Sequence, residues 1–238
     1  MGAITGGARN IVTNGLILNL DAGNYKSYPG TGTIWTDLTS TYAGTLTNGP
    51  IYNSSNAGSI VFDGTNDYVV TTTPIDVSNR FTVNAWVKLG ITTPQPTTYG
   101  NRITIISNCY PYSSGKGFFM AASGNNGSDF FISLGNDQKV AISNTGYVTA
   151  NTVFMVTATV NAGDSNIKLY YNGSEVTYAL QNDGNVVLAY DTGNTQIGYR
   201  SGADIMNGNI YSLQLYNRAL SATEVLQNFN SYRARFGI

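Results

Sequence analysis

Histidine is missing from all 238 residues of the chain. That absence removes every Ser-His-Asp or Cys-His nucleophile system, the HExxH zinc motif and any histidine general base. Cysteine is nearly missing as well. Cys109 stands alone, so no internal disulfide can form, and without histidine a structural zinc site within one chain is excluded too. Charge is scarce: Asp, Glu, Lys and Arg make up 11% of the residues, against about 25% in an ordinary soluble domain. Twelve Lys and Arg stand against 13 Asp and Glu, for a net charge of -1, and the cations are scattered. Nucleic-acid binders draw most of their affinity from neutralised phosphates, so no nucleic-acid partner is expected. No membrane contact is expected either, since no apolar run approaches the roughly 18 residues of a spanning helix. The opening MGAITGGARNIVTNG has neither a charged n-region nor an apolar h-region, so no secretory signal is expected.

What is present points one way. Hydrophobic residues make up 42% and aromatics 12%, enough for a sizeable core. Polarity comes from neutral groups, with 28 Asn and 28 Thr beside 27 Gly and 17 Tyr. Thr and Tyr suit pleated, half-buried surfaces, whereas Asn and Gly suit turns. An all-β chain of many short strands follows, of a length that sandwiches of roughly 200–250 residues fill as one domain.

Residues 1–14 read as a polar, Gly-rich arm, and 15–238 as one domain. A first strand is expected over 16–20, followed by an ordered loop in which Trp35, Leu38 and Leu46 anchor irregular backbone. Strands at 59–62 and 68–72 flank the hairpin-type turn Asp63-Gly-Thr-Asn-Asp67. Over 81–88 the alternation is clean: Phe81, Val83, Ala85 and Val87 share one face, Thr82, Asn84, Trp86 and Lys88 the other. A long loop over 90–102 precedes strands at 103–107, 117–122, 129–134 and 138–143. Next come 152–160, then 167–171 turning through Tyr-Asn-Gly-Ser into 175–178, and finally 195–199 and 208–216. One helix is expected, opened by the capping box Ser221-Ala-Thr-Glu224 and given an apolar side by Val225, Leu226 and Phe229. More than ten short strands with one helix indicate a two-sheet sandwich or a barrel.

Several segments, in order, carry a family likeness: GLILNLDAGNYKSYPGTGTIWTDL, SIVFDGTNDYVV, FTVNAWVKL, IKLYYNG, QIGYR and GNIYSLQLYNRALSATEVLQNF. Together, over about residues 15–232, they resemble the laminin-G-like (concanavalin A-like lectin/glucanase) superfamily, nearest to the single-domain versions in tailed-phage structural proteins. The resemblance implies a jelly-roll sandwich of two antiparallel sheets with one short C-terminal helix. It implies binding of carbohydrate or protein, in some relatives with calcium. Other relatives are glycoside hydrolases with a closely spaced acidic pair on one strand. Here the only glutamates, Glu175 and Glu224, sit beside a hairpin turn and in a helix cap, so no catalytic residue is expected.

Calcium takes six to eight oxygen ligands from carboxylates, amides and carbonyls. Asp63 and Asp67 flank a turn that Asp204 and Asn209 approach if the rim loops meet as in calcium-binding relatives. The alternative is that both turn aspartates simply hydrogen-bond local backbone. Trp86, opposite the core-facing residues, either stacks on a sugar from an open face or packs beneath the terminal helix. Tyr99, Tyr110 and Tyr112 lie in loop sequence and suit a recognition surface, unless they cover loop backbone. Cys109 reads as a small packed residue. In an assembly the arm would lie along a neighbouring subunit, burying Ile4, Ile11 and Val12 between chains.

The leading expectation is a non-enzymatic virion protein of a bacteriophage, of capsid-decoration or head-fibre type, made in the host cytoplasm and displayed on the particle surface. Its partners would be the major capsid protein or neighbouring copies in a homo-oligomeric assembly, and glycans. No cofactor is required on this reading, calcium being the one candidate. A carbohydrate-binding module or tail adhesin is the alternative, and a glycoside hydrolase the second.

Overall fold

Strand Arg80–Leu89 shows why the chain forms layers. Phe81, Val83, Ala85, Val87 and Leu89 enter the main core on one side, while Thr82, Asn84 and Trp86 are buried on the other. A strand buried on both faces must lie inside a sheet covered on both sides. The computed structural model describes residues 10–77, 80–90, 102–109, 116–122, 129–135, 139–161, 166–182, 193–200 and 204–238.

Numbered in chain order, the described strands form two sheets with antiparallel pairing throughout. The first has eight: Leu16–Asp21 (β1), Ile51–Asn53 (β4), Ser59–Asp63 (β5), Arg80–Leu89 (β7), Val153–Asn161 (β12), Asn166–Tyr171 (β13), Ser174–Glu175 (β14) and Asn207–Tyr216 (β17). They run in the order β14-β13-β12-β7-β17-β5-β4, with β1 also pairing β17. The second has nine: Ile34–Thr36 (β2), Ala43–Thr47 (β3), Tyr68–Thr71 (β6), Ile103–Ser107 (β8), Phe118–Ala122 (β9), Phe130–Leu134 (β10), Lys139–Ser143 (β11), Tyr178–Asn182 (β15) and Gln196–Ile197 (β16). Their order is β15-β11-β10-β9-β8-β16-β6-β3-β2. The core lies between the inner faces, and the Phe81 and Phe118 rings meet across it at 4.6 Å. This is the expected jelly-roll sandwich.

A bulge in β17 preserves its core face. Ile210 pairs with Val87 but Ser212 with Trp86, so the extra residue lets Ile210 and Leu213 both point inward while Tyr211 joins the outer cluster. A one-residue slip without a bulge would have turned half the strand inside out.

Three expectations change. Trp35 and Leu46 are core anchors as read, but on strands β2 and β3 rather than irregular backbone. The segment 175–178 is not one strand. Ser174–Glu175 closes the hairpin with β13, and after buried Val176 the chain crosses to pair β15 with β11 in the other sheet. The arm also ends sooner than position 14. Asn10 O accepts from Gln227 Nε2 (2.9 Å), Val12 N donates to Asn228 Oδ1 (2.8 Å), and Val12 O accepts from the Tyr216 hydroxyl (3.0 Å). Val12 is buried against its own chain, and Ile11 is half-buried beside it. These two residues therefore belong to the folded domain, which corrects the expectation that they wait for a neighbouring subunit; Ile4 lies outside the described residues.

The helix Ala222–Tyr232 (α1) starts as expected. Ser221 Oγ accepts from Glu224 N, and the Glu224 carboxylate accepts from Ser221 N. Val225 is buried against the outer face of the eight-stranded sheet. The buried Asn228 amide ties the helix to Tyr216 and to the Val12 backbone.

Candidate functional site

The outer face of the eight-stranded sheet is sealed by the chain itself. Trp86 is fully buried, stacked against Phe229 of α1 (centroids 5.6 Å apart) and Phe236 of the C-terminal turn (4.6 Å). Beside it runs a buried polar row across four strands. Thr157 Oγ1 donates to Asn84 Oδ1 (2.6 Å), Asn84 Nδ2 to Gln214 Oε1 (2.6 Å), and Gln214 Nε2 to Asn19 Oδ1 (3.2 Å). These groups satisfy one another beneath a lid. Trp86 is therefore no platform for a sugar, which corrects that expectation in favour of packing beneath the helix.

Most of the described carboxylates are tied to structure, Asp129 being an exception with a buried oxygen that has no partner. Glu175 pairs with Lys168 (2.9 Å) and accepts from the Tyr178 hydroxyl (3.2 Å). Glu224 pairs with Arg218 at 2.6 Å. That guanidinium, with the Ser221 donors of the cap, holds its carboxyl down to about 2 against the opposing effect of burial. Asp204 is buried, with one oxygen on Arg200 Nη1 (3.0 Å) and the other on Arg102 N (3.1 Å). Asp21 binds Arg235 at 2.7 Å. Asp37 accepts from the backbone of Asn19, Thr39, Thr41 and Tyr42.

Asp63 and Asp67 do come together, through local backbone. Asp67 Oδ2 accepts from Asp63 N (3.0 Å) and Asp63 Oδ1 from Thr65 N (2.7 Å). Burial raises the Asp67 carboxyl above its usual range, the Asp63 N–H opposes this, and the Asp63 charge adds to it. The other two expected calcium ligands do not join them. Asp204 is spent on Arg200, Asn209 Nδ2 donates to Ser59 Oγ (2.9 Å), and it is Asn207 that stands opposite Asp63. Among the described residues no group of three or more acidic or sulfur side chains gathers. Two aspartates fall well short of the oxygen shell calcium takes, so the four residues do not fit the ion as a set.

The outer face of the nine-stranded sheet is different. One row crosses from Ile34 through Thr45, Val70, Gln196 and Ser107 to Phe119 without an ionisable side chain. At one end of the face Phe119 and Phe131 meet edge-on at 5.3 Å with Cys109 and Ala121 in a small buried cluster. Arg200 lies over Phe119 at 3.6 Å and Arg102 over Phe131 at 4.9 Å. Nearer the middle of the sheet the half-buried rings of Tyr68 and Tyr199 sit 5.5 Å apart, tilted by 37°. Gly198 makes this pairing feasible. Its φ is +82°, and a Cβ there would come within 2.6 Å of the core ring of Phe62. Only glycine lets the chain turn there and send Tyr199 outward. Neither tyrosine was singled out in the sequence, although Val69 facing the core already implied that Tyr68 and Val70 face out. Tyr99, Tyr110 and Tyr112 lie outside the described residues.

Comparison with known proteins bears on the same fold. The sequence model of the concanavalin A-like lectin/glucanase superfamily matches residues 63–226. No curated protein matches the sequence. Domain 4 of an extracellular arabinanase from Geobacillus stearothermophilus, solved with arabinotriose, superposes with a TM-score of 0.67 at 17% identity, over 90% of this chain and 97% of that one. The botulinum neurotoxin serotype D binding domain gives 0.63 at 19% identity, over 90% of this chain and 51% of that one. A Trypanosoma rangeli sialidase, in complex with 2,3-difluorosialic acid, gives 0.65 at 16% identity, over 96% and 34%. At these identities the likeness is one of fold.

Proposed function

We propose that this chain, which belongs to the concanavalin A-like lectin/glucanase superfamily, is a non-enzymatic binding domain that displays the half-exposed part of its nine-stranded sheet for glycan contact on the outside of a bacteriophage particle. One observation carries the non-enzymatic reading: both glutamates are held in ion pairs, Glu175 by Lys168 and Glu224 by Arg218. Glycoside hydrolysis needs a proton-donating acid and a nucleophile or base roughly 5–9.5 Å apart across the scissile bond. Asp63 and Asp67 bond the backbone of a tight turn instead.

Glycan contact is supported by the contrast between the two outer faces. One is closed by α1 and the C-terminal turn, whereas the other, buried around Ser107 and Phe119, leaves Thr45, Val70, Gln196 and the rings of Tyr68 and Tyr199 half-exposed. The arabinotriose-bound neighbour of nearly equal length favours the same reading. The virion role rests on the resemblance of LNLDAGNYKSYPGTGTIWTDL to the single-domain versions in tailed-phage structural proteins. On a particle the chain would dock on the capsid protein or on neighbouring copies, and many copies would turn weak single contacts into firm adhesion.

Two measurements test this. On a glycan array, with and without chelator, the purified chain should bind glycans and leave them intact. Gold-labelled antibody to the chain should decorate intact phage particles that carry its gene. Cleavage of a bound glycan, or unlabelled particles, would contradict the proposal.

A further inference from the structure

We infer that the glycan site is the Tyr68–Tyr199 pair on the outer face of the nine-stranded sheet, and that its ligand is an uncharged, hydroxyl-rich saccharide. The inference deepens the glycan-binding reading above and rests on it.

Three observations carry it. The first is shape. Two tilted rings 5.5 Å apart, each half-buried, make a fixed apolar ledge. Tyrosine loses little freedom when a ligand covers it, and the C–H face of a sugar ring fits such a surface. Both hydroxyls are without a hydrogen bond among the described residues, so they are available to a ligand's hydroxyls.

The second is an unspent acceptor. Gln196 stands opposite Val70, diagonal to Tyr68, and its Oε1 is buried with no partner. An unsatisfied buried carbonyl of this kind costs about 1–3 kcal/mol. The terminal torsion of glutamine is soft, so the amide can turn its oxygen to the surface without breaking a bond to that oxygen. A saccharide hydroxyl would then donate to it. Pockets of this pattern, an apolar floor with a few orienting polar groups, are the usual form of small-ligand sites.

The third is charge. The row holding Val70, Gln196 and Ser107 has no ionisable side chain, and the neighbouring Arg200 is paired with Asp204 at 3.0 Å, with Arg102 set over the Phe119 and Phe131 rings. A carboxylated or sulfated sugar would find no cation within that row. A neutral polyhydroxyl ligand loses nothing by that absence.

Affinity electrophoresis in gels cast with soluble arabinan, xylan or mixed-linkage β-glucan tests the assignment, with unfolding midpoints recorded for every variant. Wild-type protein should be retarded in at least one gel. Tyr68→Ala and Tyr199→Ala should each weaken that retardation about tenfold, the loss of an aromatic contact with its buried area. Tyr68→Phe, which keeps the ring, should retain most of it. Gln196→Ala should weaken it about fivefold, as expected for one lost hydrogen bond. Tyr25→Ala, an exposed tyrosine on another loop, should behave as wild type. Should the folded Tyr68→Ala and Tyr199→Ala variants be retarded like wild type, the glycan binds elsewhere and this assignment falls while the glycan-binding reading stands. Lack of retardation of wild type in every gel would overturn both.

Discussion

Phe236 stacks on Trp86 with ring centroids 4.6 Å apart, so the last turn of the described chain closes a sheet face that begins more than a hundred residues earlier. Removing either ring should open that face. Trp86→Ala is expected to cost about 3–5 kcal/mol, as for large aromatics deleted from a core. Phe236→Ala, whose ring is only half-buried, should cost about 2 kcal/mol. Urea unfolding midpoints measure both, and polysaccharide retention by the folded fraction should not change, because the two outer faces are separate.

Arg235 fastens the same turn. It binds Asp21 Oδ1 (2.7 Å) and the backbone carbonyls of Asn56, Ala57 and Gly58. Its guanidinium fills space that a Cβ at Gly23 would occupy. Arg235→Ala leaves Asp21 with the Tyr232 hydroxyl and the Gly23 N–H as partners and should cost about 2 kcal/mol. Hydrogen exchange should then quicken first at Gly58 N, whose bond closes the Ser55–Ala57 turn. Uniform acceleration across the sheet would mean that the clasp acts globally.

The Arg218–Glu224 pair gives the acid limb of stability. Glu224 titrates near 2 in the folded chain because Arg218 and the Ser221 cap favour its charge, against about 4.3 for an ordinary glutamate. A depressed folded value contributes stability in full above the unfolded value, and the contribution is lost as pH falls toward the folded one. The stability gap between wild type and Glu224→Gln should therefore be widest at pH 6 and shrink between pH 5 and pH 2. With the pair about 30% exposed (28% and 29% for the two side chains), solvent screening keeps the gap near 1 kcal/mol or less. Chemical unfolding at several pH values reads it directly.

Asp67 behaves in the opposite sense. Burial raises its carboxyl, so the folded chain holds that proton more tightly than the unfolded chain, and this favour fades as pH rises through the carboxylate range. Asp67→Asn keeps an acceptor for Asp63 N and removes the buried charge. It should stabilise the chain slightly above pH 5, by less than about 1 kcal/mol. Because Asp204 and Asn209 are held elsewhere, exchanging chelator for calcium should leave the wild-type melting midpoint unchanged. A rise of several degrees with calcium would mean that the turn recruits ligands other than these.

The elements legible in the sequence are those whose signal is local. Alternation over 81–88 fixed both faces of β7, and the Ser221/Glu224 pair placed the start of α1. Strands β2 and β4 have three residues each, too short for a period of two to register, and their pairing is decided by distant partners. The bulge at Tyr211 and the crossing after Glu175 also depend on neighbours far along the chain. Trp86 was correctly set apart from the core face, but what covers it comes from Phe229 and Phe236, which no local pattern connects to position 86. Asp63 and Asp67 were rightly placed on one turn, whereas Asp204 was drawn away by Arg200, four residues before it. Tyr68 and Tyr199 lie on opposite sides of 130 intervening residues and meet only through the pairing of β6 with β16.

Contact without chemistry is the centre of this account, and reducing-end release tests it most directly. Purified chain should be incubated for a day with whichever polysaccharide retards it, and new reducing ends counted against a protein-free control. The account predicts retention with no release above the control. Steady release that scales with protein concentration and vanishes in Asp63→Asn or Glu175→Gln would contradict it.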